Sequence, residues 1–344
     1  MTVPVIGIIM VLSGLQRMIA MLENIIACLK ANRPVIAFPE GSDHRILQAA
    51  ARLHREGILK PLLVGSRQEI ETEAARLGLS IEGIAVVDPA RFDRGDEMLR
   101  RMAELRRGKM DEAACAEALR HGNYFATMLV VMGLADGLLG GATYSTADTV
   151  RPALQLVKTR PGSSIVSSCF LLRRPSADGG EELYAMADCA INLDPTAEEL
   201  AEIAVETART ARVFGIEPRV ALLSYSTLGS GKGQSVDKVR QAADKLKAMG
   251  LDFPVEGELQ FDAAFAPEVA ATKAPGSAVA GRANTFLFPD LNAGNIGYKI
   301  AQRLGGFEAL GPILQGLNAP INDLSRGCVA EEVYQMAIIT AAMK

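Results

Sequence analysis

Pro34-Val-Ile-Ala-Phe-Pro39 is a short apolar run bounded by prolines, and its pairing with the next three segments of the chain decides the fold. Residues 46–56 repeat apolar side chains at helical spacing, 60–64 is a second apolar run, and 67–77 is again helical in pattern. Strand, helix and strand in this order make a βαβ unit with parallel strands. The alternation continues along the chain. Strands are expected at 84–87, 137–141, 164–169, 185–191, 220–224 and 285–288, with helices between most of them. Such a series predicts an α/β protein whose mostly parallel sheets are covered on both faces. Arg174 to Glu182, rich in Gly, Asp and Pro, reads as a hairpin tip.

Composition narrows the chemistry. At 344 residues, 49% hydrophobic and 22% charged, the chain is long enough for about two domains. The net charge of −4 is small, and no Lys/Arg block with interleaved aromatics appears, which argues against nucleic acid and for small-molecule substrates. Cys28, Cys115, Cys169, Cys189 and Cys328 form no CxxC pair, and His44, His54 and His121 have no metal-ligand spacing. Free thiols in a reducing compartment and no metal are expected. The apolar run from Val3 to Leu15 and the Ile25-Ile-Ala-Cys28 sequence faintly mimic a lipoprotein leader. No basic residue precedes the run, Pro4, Gly7 and Gly14 interrupt it, and it is too short to span a membrane. A helix carrying Met18, Leu22, Ile25, Ile26 and Leu29 in a cytoplasmic protein is the preferred reading.

In open α/β sheets, ligands bind beyond the carboxyl ends of the strands. Five segments read as corners of that kind. Phe38-Pro-Glu-Gly-Ser-Asp43 ends the first strand, with Ser42 or Asp43 as N-cap. Gly140 to Pro152 contains Ser145 and Asp148 at capping-box spacing, Thr146, and Arg151 about a turn into the helix; that Arg either faces an anion or lies on the surface. Leu223 to Gly233 lacks the Walker spacing, because Ser226 and Gly233 stand where Gly and Ser/Thr are needed. With Ser226 and Thr227 it either cradles phosphate or is merely flexible. Phe288 to Lys299 sets Asn292 and Asn295 before a helix, as an anion-binding turn or a plain αL turn. Pro320 to Cys328 puts Ser325, Arg326 and Gly327 side by side, and Arg offers a planar fork matching phosphate or carboxylate.

Taken together, Phe38-Pro-Glu-Gly41, Asn123 to Met128, Ala135-Asp-Gly137, Thr149-Val-Arg-Pro152, Ser167-Ser-Cys-Phe170, Glu256 to Gln260, Phe288 to Asn295 and Asn322 to Cys328 form an ordered set. This set resembles the phosphate acetyltransferases, from about Arg33 to the C-terminus. The resemblance implies a two-domain, three-layer α/β/α fold like that of isocitrate and isopropylmalate dehydrogenases. Domain 1 would comprise 1–161 plus 316–344 and domain 2 162–315, with the active site in the cleft between them and a homodimer as the assembly. It implies coenzyme A and acetyl-CoA, phosphate and acetyl phosphate as substrates, with no permanently bound cofactor.

Matched onto this chain, the family's catalytic set falls on Ser325, Arg326, Arg151 and Arg106, with Arg107 adjacent to the last. The implied substrate-binding set is Ser145, Thr146, Asn292, Asn295, Ser226 and Thr227. Arg326 and Arg151 would hold phosphate or acetyl phosphate, since guanidiniums desolvate and aim a weak nucleophile. Ser325 would hydrogen-bond the sulfur or the tetrahedral centre. One departure stands out. Where the family places Ser and then Asp, the latter as base for the coenzyme A thiol, this chain has Val329 and Glu332. Glu332 is either the base or a carboxylate complementing the helix dipole, with Glu331 as a substitute. Cys169 and Cys328 are expected to be bystanders, so acetyl transfer would be direct within a ternary complex. The alternatives are a phosphate butyryltransferase or other acyl phosphotransferase, and a non-catalytic acyl-CoA-sensing relative. A decarboxylating dehydrogenase is disfavoured, because no G-x-G-x-x-G follows a strand.

Overall fold

The run between Pro34 and Pro39 forms β1 (Val35–Phe38) in a computed structural model that describes residue 23, residues 25–176 and residues 180–344. Four strands join it: β2 (Lys60–Val64), β3 (Ala85–Val87), β4 (Gly137–Gly140) and, from far along the chain, β11 (Ile321–Asp323). They make an all-parallel sheet in the order β11-β4-β1-β2-β3. The second sheet is built from β5 (Ser167–Pro175), β6 (Glu181–Ala187), β7 (Val220–Leu223), β8 (Val255–Leu259), β9 (Thr285–Leu287) and β10 (Glu308–Gln315), in the order β10-β5-β6-β9-β7-β8. β6, β9, β7 and β8 run parallel; the β5–β6 hairpin and β10 add antiparallel pairs at one edge. The α/β class with mostly parallel sheets is as expected.

Helices cover both faces because the strands are apolar on both. Helices His44–Arg55 and Ala330–Ala342 pack on one side of the first sheet, and their buried Ile46, Leu47, Leu53, Val333, Ile338 and Ile339 belong to the same apolar cluster as Leu171, Ala187 and Leu222 of the second sheet. The opposite face of the first sheet takes Gly95–Leu105 and Gly122–Val131 through Met98, Met102, Phe125 and Met128. The second sheet is covered on one side by Ala197–Val213 and Gln234–Ala248, and on the other by Leu291–Arg303.

Three strands carry patterns that periodicity does not detect. β8 holds Glu256, Gly257 and Glu258 in five residues, and β11 is a three-residue strand with two polar positions. β10 contains Gly311-Pro312, a breaker signal that the sheet absorbs as a register shift between Leu310 and Ile313. β6 ends at Ala187 instead of 191, because the Asp188 carboxylate captures the N–H groups of Ala190, Ile191 and Asn192. The helical turns of the N-terminal segment are present at 25–32, whereas Met18, Leu22 and the apolar run before them lie outside the described residues. So does part of the hairpin tip, at 177–179.

β11 is tied in by one buried amide. Asn322, fully buried, accepts from the Leu314 N–H at 2.8 Å and donates to Thr340 Oγ1 at 2.9 Å, joining β10, β11 and the last helix. Removing it leaves a donor without a partner and opens a void. Asn322→Ala is expected to lower the unfolding free energy by roughly 2–4 kcal/mol, read as a drop in the urea midpoint at unchanged slope.

Candidate active site

The carboxyl ends of β1, β4 and β11 lie side by side, and a buried carboxylate joins the first two. Glu40 accepts from the N–H groups of Gly141 (2.9 Å), Ala142 (3.1 Å), Thr143 and Tyr144 (3.1 Å), and from the Thr143 hydroxyl (2.7 Å). Four successive amides wrap one anionic side chain, so the β4 loop is built around the β1 loop. The same device recurs in the second sheet. Asp188 is bound by Ser168 Oγ and three backbone N–H groups, and Glu258 by Ser226 Oγ (3.0 Å), the Gly229 N–H (2.6 Å) and Arg240 (3.2 Å). Backbone donors that a glycine-rich loop could offer to an anionic ligand are here held by the protein's own carboxylates.

Arg45 joins the third corner to the other two. Its guanidinium pairs with Asp43 (2.9 Å) and donates to the carbonyls of Ala142 (2.7 Å), Arg326 (2.8 Å) and Cys328 (3.2 Å). Burial alone would raise the Asp43 carboxyl, but its hydrogen bonds and charge pairing with Arg45 hold it below the usual range. Sequence reading missed Arg45. The available signal was an Asp-x-Arg pair opening a helix just after a strand.

The turn that Arg45 holds carries the predicted Ser325 and Arg326, both exposed. Ser325 Oγ accepts only a long bond from the Gly327 N–H (3.3 Å), and the Arg326 guanidinium makes no hydrogen bond or ion pair among the described residues. Helix Thr146–Pro152 packs against β11, with Ser145 as its N-cap through the Asp148 N–H (3.2 Å), Thr146 exposed and Arg151 exposed one residue before Pro152. Arg151 likewise forms no hydrogen bond or ion pair among the described residues. Ser325, Arg326, Ser145, Thr146 and Arg151 thus belong to two neighbouring turns at the end of one sheet.

The other candidates are placed elsewhere. Arg106 closes helix Gly95–Leu105, half-buried near Cys115, while Arg107 is exposed. Ser226 and Thr227, expected to face substrate, are instead buried; Ser226 Oγ is bonded to Glu258 and the Gly231 N–H, and Thr227 Oγ1 to Gln260, so both hydroxyls shape their own loop. Asn295 donates to the Cys189 carbonyl (3.0 Å) and accepts from Lys299 (2.8 Å), which fixes the turn before its helix. Asn292 is exposed and lines a cavity of about 900 Å³ with Asp194, Gln234 and Lys238. Glu332 Oε2 accepts from the Val329 N–H (3.0 Å), half of a capping box whose other half Val329 cannot supply. Glu331 is paired with Arg52 at 2.6 Å.

A cavity of about 970 Å³ behind the β1 loop is walled by Glu40, Asp43, Asp88 and Asp96 against one cation, Arg120. That charge balance disfavours a polyanion. The free cationic turns at 151 and 325–326 have the opposite character.

Residues 20–341 match the model of the phosphate acetyl/butaryl transferase family. The chain belongs to this family. Among its relatives, the phosphate acetyltransferase of Bacillus subtilis is 53% identical over 89% of this chain and 94% of its own length. A phosphotransacetylase structure from Streptococcus pyogenes superposes with a TM-score of 0.91 at 53% identity, covering 94% of this chain and 98% of that one. A EutD phosphotransacetylase from Staphylococcus aureus gives 0.88 at 46% identity, covering 94% and 98%.

The Glu40 cage accounts for the family's Phe-Pro-Glu-Gly motif as a structural device. In Glu40→Gln the amide NH₂ would face backbone donors, so the variant is expected to lose roughly 2–4 kcal/mol; paired urea titrations of the two proteins check this.

Proposed function

We propose that this chain is a phosphate acetyltransferase, exchanging an acetyl group between coenzyme A and inorganic phosphate. The observation carrying the reading is the junction of the Ser325–Arg326 turn with the Arg151 helix, where two guanidiniums have no partner among the described residues and a hydroxyl accepts only one long bond. Family membership and relatives named phosphate acetyltransferase at about half identity support it. We read the two sheets as two domains, 1–161 plus 316–344 and 162–315, with the substrates in the cleft between them.

In this reading a phosphate oxygen attacks the thioester carbonyl, a C–O bond forms, the C–S bond breaks, and coenzyme A leaves as thiolate. Arg326 and Arg151 bind and aim the phosphate, two cations suiting a hydrated anion that must be desolvated before attack. Ser325 donates to the sulfur or the tetrahedral oxygen, and Arg106 adds charge toward coenzyme A. In the reverse direction Glu332 takes the thiol proton. Its bond to the Val329 N–H occupies one oxygen of an exposed side chain and leaves the other without a protein partner among the described residues. Direct transfer is supported by the cysteines. Burial pushes Cys169 up to about 12 and Cys328 up to about 11, so both are thiols at neutral pH and poor nucleophiles.

The capping bond also favours a second reading of Glu332, as a purely structural cap. Phosphate-dependent release of free thiol from acetyl-CoA separates the two. Arg326→Ala is expected to lower kcat/KM by roughly 10²–10³-fold. Glu332→Gln keeps an oxygen for the cap, so a fall of roughly 10²-fold or more with unchanged stability identifies the base, and near wild-type turnover identifies the cap.

The proposed assembly is a cytoplasmic homodimer. No described helix is long and apolar enough to cross a membrane. On helix Leu291–Arg303 and its end, Ile296, Ile300 and Leu304 are exposed at i, i+4 and i+8, and Ile300 shares an apolar groove with the exposed Phe261 and Phe265. A second copy of this chain is the proposed occupant. Light scattering should report a dimer for the wild type and a monomer for Ile300→Asp/Leu304→Glu; an unchanged mass would place the interface elsewhere.

A further inference from the structure

We propose that Asp323 is a positioning residue of the transfer reaction, its buried carboxyl holding the Ser325–Arg326 turn in register with the helix that carries Arg151. The inference rests on the proposed transferase site and extends it inward. Asp323 ends β11 opposite Gly140 of β4, two residues before Ser325, and is 2% exposed. Thr146 and the buried Thr149, on the first turn of helix Thr146–Pro152, are near enough for their hydroxyls to favour the ionised carboxyl, although Thr149 Oγ1 donates to the Ser145 carbonyl (3.4 Å) and Asp323 Oδ1 makes no hydrogen bond. Gly141, at φ +102°, closes the other side so tightly that a Cβ there would come within 2.3 Å of Asp323 Oδ1. The carboxyl thus lies between the β4 loop and the strand that leads into the Ser325–Arg326 turn, on which the Arg151 helix packs.

Stability does not explain this group. Burial, with Glu40 as the charged neighbour facing it, pushes the Asp323 carboxyl up to about 6 against the opposing pull of the two hydroxyls. A carboxyl whose pKa is higher in the folded than in the unfolded chain disfavours folding as pH rises through that window. At neutral pH the fold carries an ionised, partly unpaired buried group, so an isosteric amide should be tolerated or stabilising. A use in function is the remaining reason for it. Ionised Asp323 attracts the hydroxyls of Thr146 and Thr149 on the helix packed against β11; protonation weakens that attraction, and activity should fall as pH drops through about 6.

The test measures acetyl transfer from acetyl-CoA to phosphate between pH 5 and 9 for wild type, Asp323→Asn, Thr149→Val and Arg326→Ala, with urea titrations of each at pH 8. The expectation is an acid limb near pH 6 in wild type, absent in Asp323→Asn. That variant should lose roughly tenfold or more in kcat with a smaller change in the phosphate KM and match or exceed wild-type stability. Thr149→Val removes a hydroxyl that favours the ionised form, so its limb should move to higher pH. Wild-type kcat with an unchanged limb in Asp323→Asn, or a loss of activity that merely tracks a lower urea midpoint, overturns the proposal. Full activity in Arg326→Ala overturns the site reading beneath it, which separates the two failures.

Discussion

Backbone N–H groups at the ends of parallel strands must find acceptors, and in this protein buried carboxylates supply them. Glu40 collects four amides from the β4 loop, Asp188 collects three beside β6, and Glu258 draws in the loop after β7. An unpaired buried carboxylate is costly, as are unpaired buried amides, so each cage forms as a unit or not at all. The loops are rigid because their internal charge balance permits one geometry. Arg45 extends that constraint to the last turn of the site by binding three carbonyls from two loops.

This arrangement separates scaffold from chemistry. Donors absorbed by Glu40, Asp188 and Glu258 cannot also cradle a ligand; Ser226 is taken in this way by Glu258, and Thr227 by Gln260, despite their glycine-rich setting. Outside the cages, Arg151 is exposed on the helix that follows the β4 loop and Arg326 on the turn that Arg45 binds. Anchoring of this kind lowers the entropy that a long, flexible arginine would lose on binding an anion.

How much of this could be read in advance depends on the range of the interactions. The βαβ unit at 35–64, the strands at 137–140, 220–223 and 285–287, and the covering helices depend on local periodicity, and they emerged nearly within their expected bounds. β8, β10 and β11 did not, because burial of Glu258 and Asn322 depends on partners such as the Gly229 N–H and Thr340, 29 and 18 residues away, and no local pattern encodes a distant partner. The turn bearing Ser325 and Arg326 was recognisable from residue types alone. Its anchor was not, since Arg45 lies 281 residues from the carbonyl of Arg326 that it binds.

By itself, then, the sequence determined the α/β class, the corners at strand ends and, through an ordered set of motifs, the family. Those properties are local: apolar spacing, capping residues and turn chemistry act within a few residues. Only the tertiary structure decided which hydroxyls and amides remain free for a ligand. That depends on which buried carboxylate reaches them first. The same packing turned Glu258 and Glu40 into scaffold, left Arg151 and Arg326 exposed, and buried Asp323 at the end of β11.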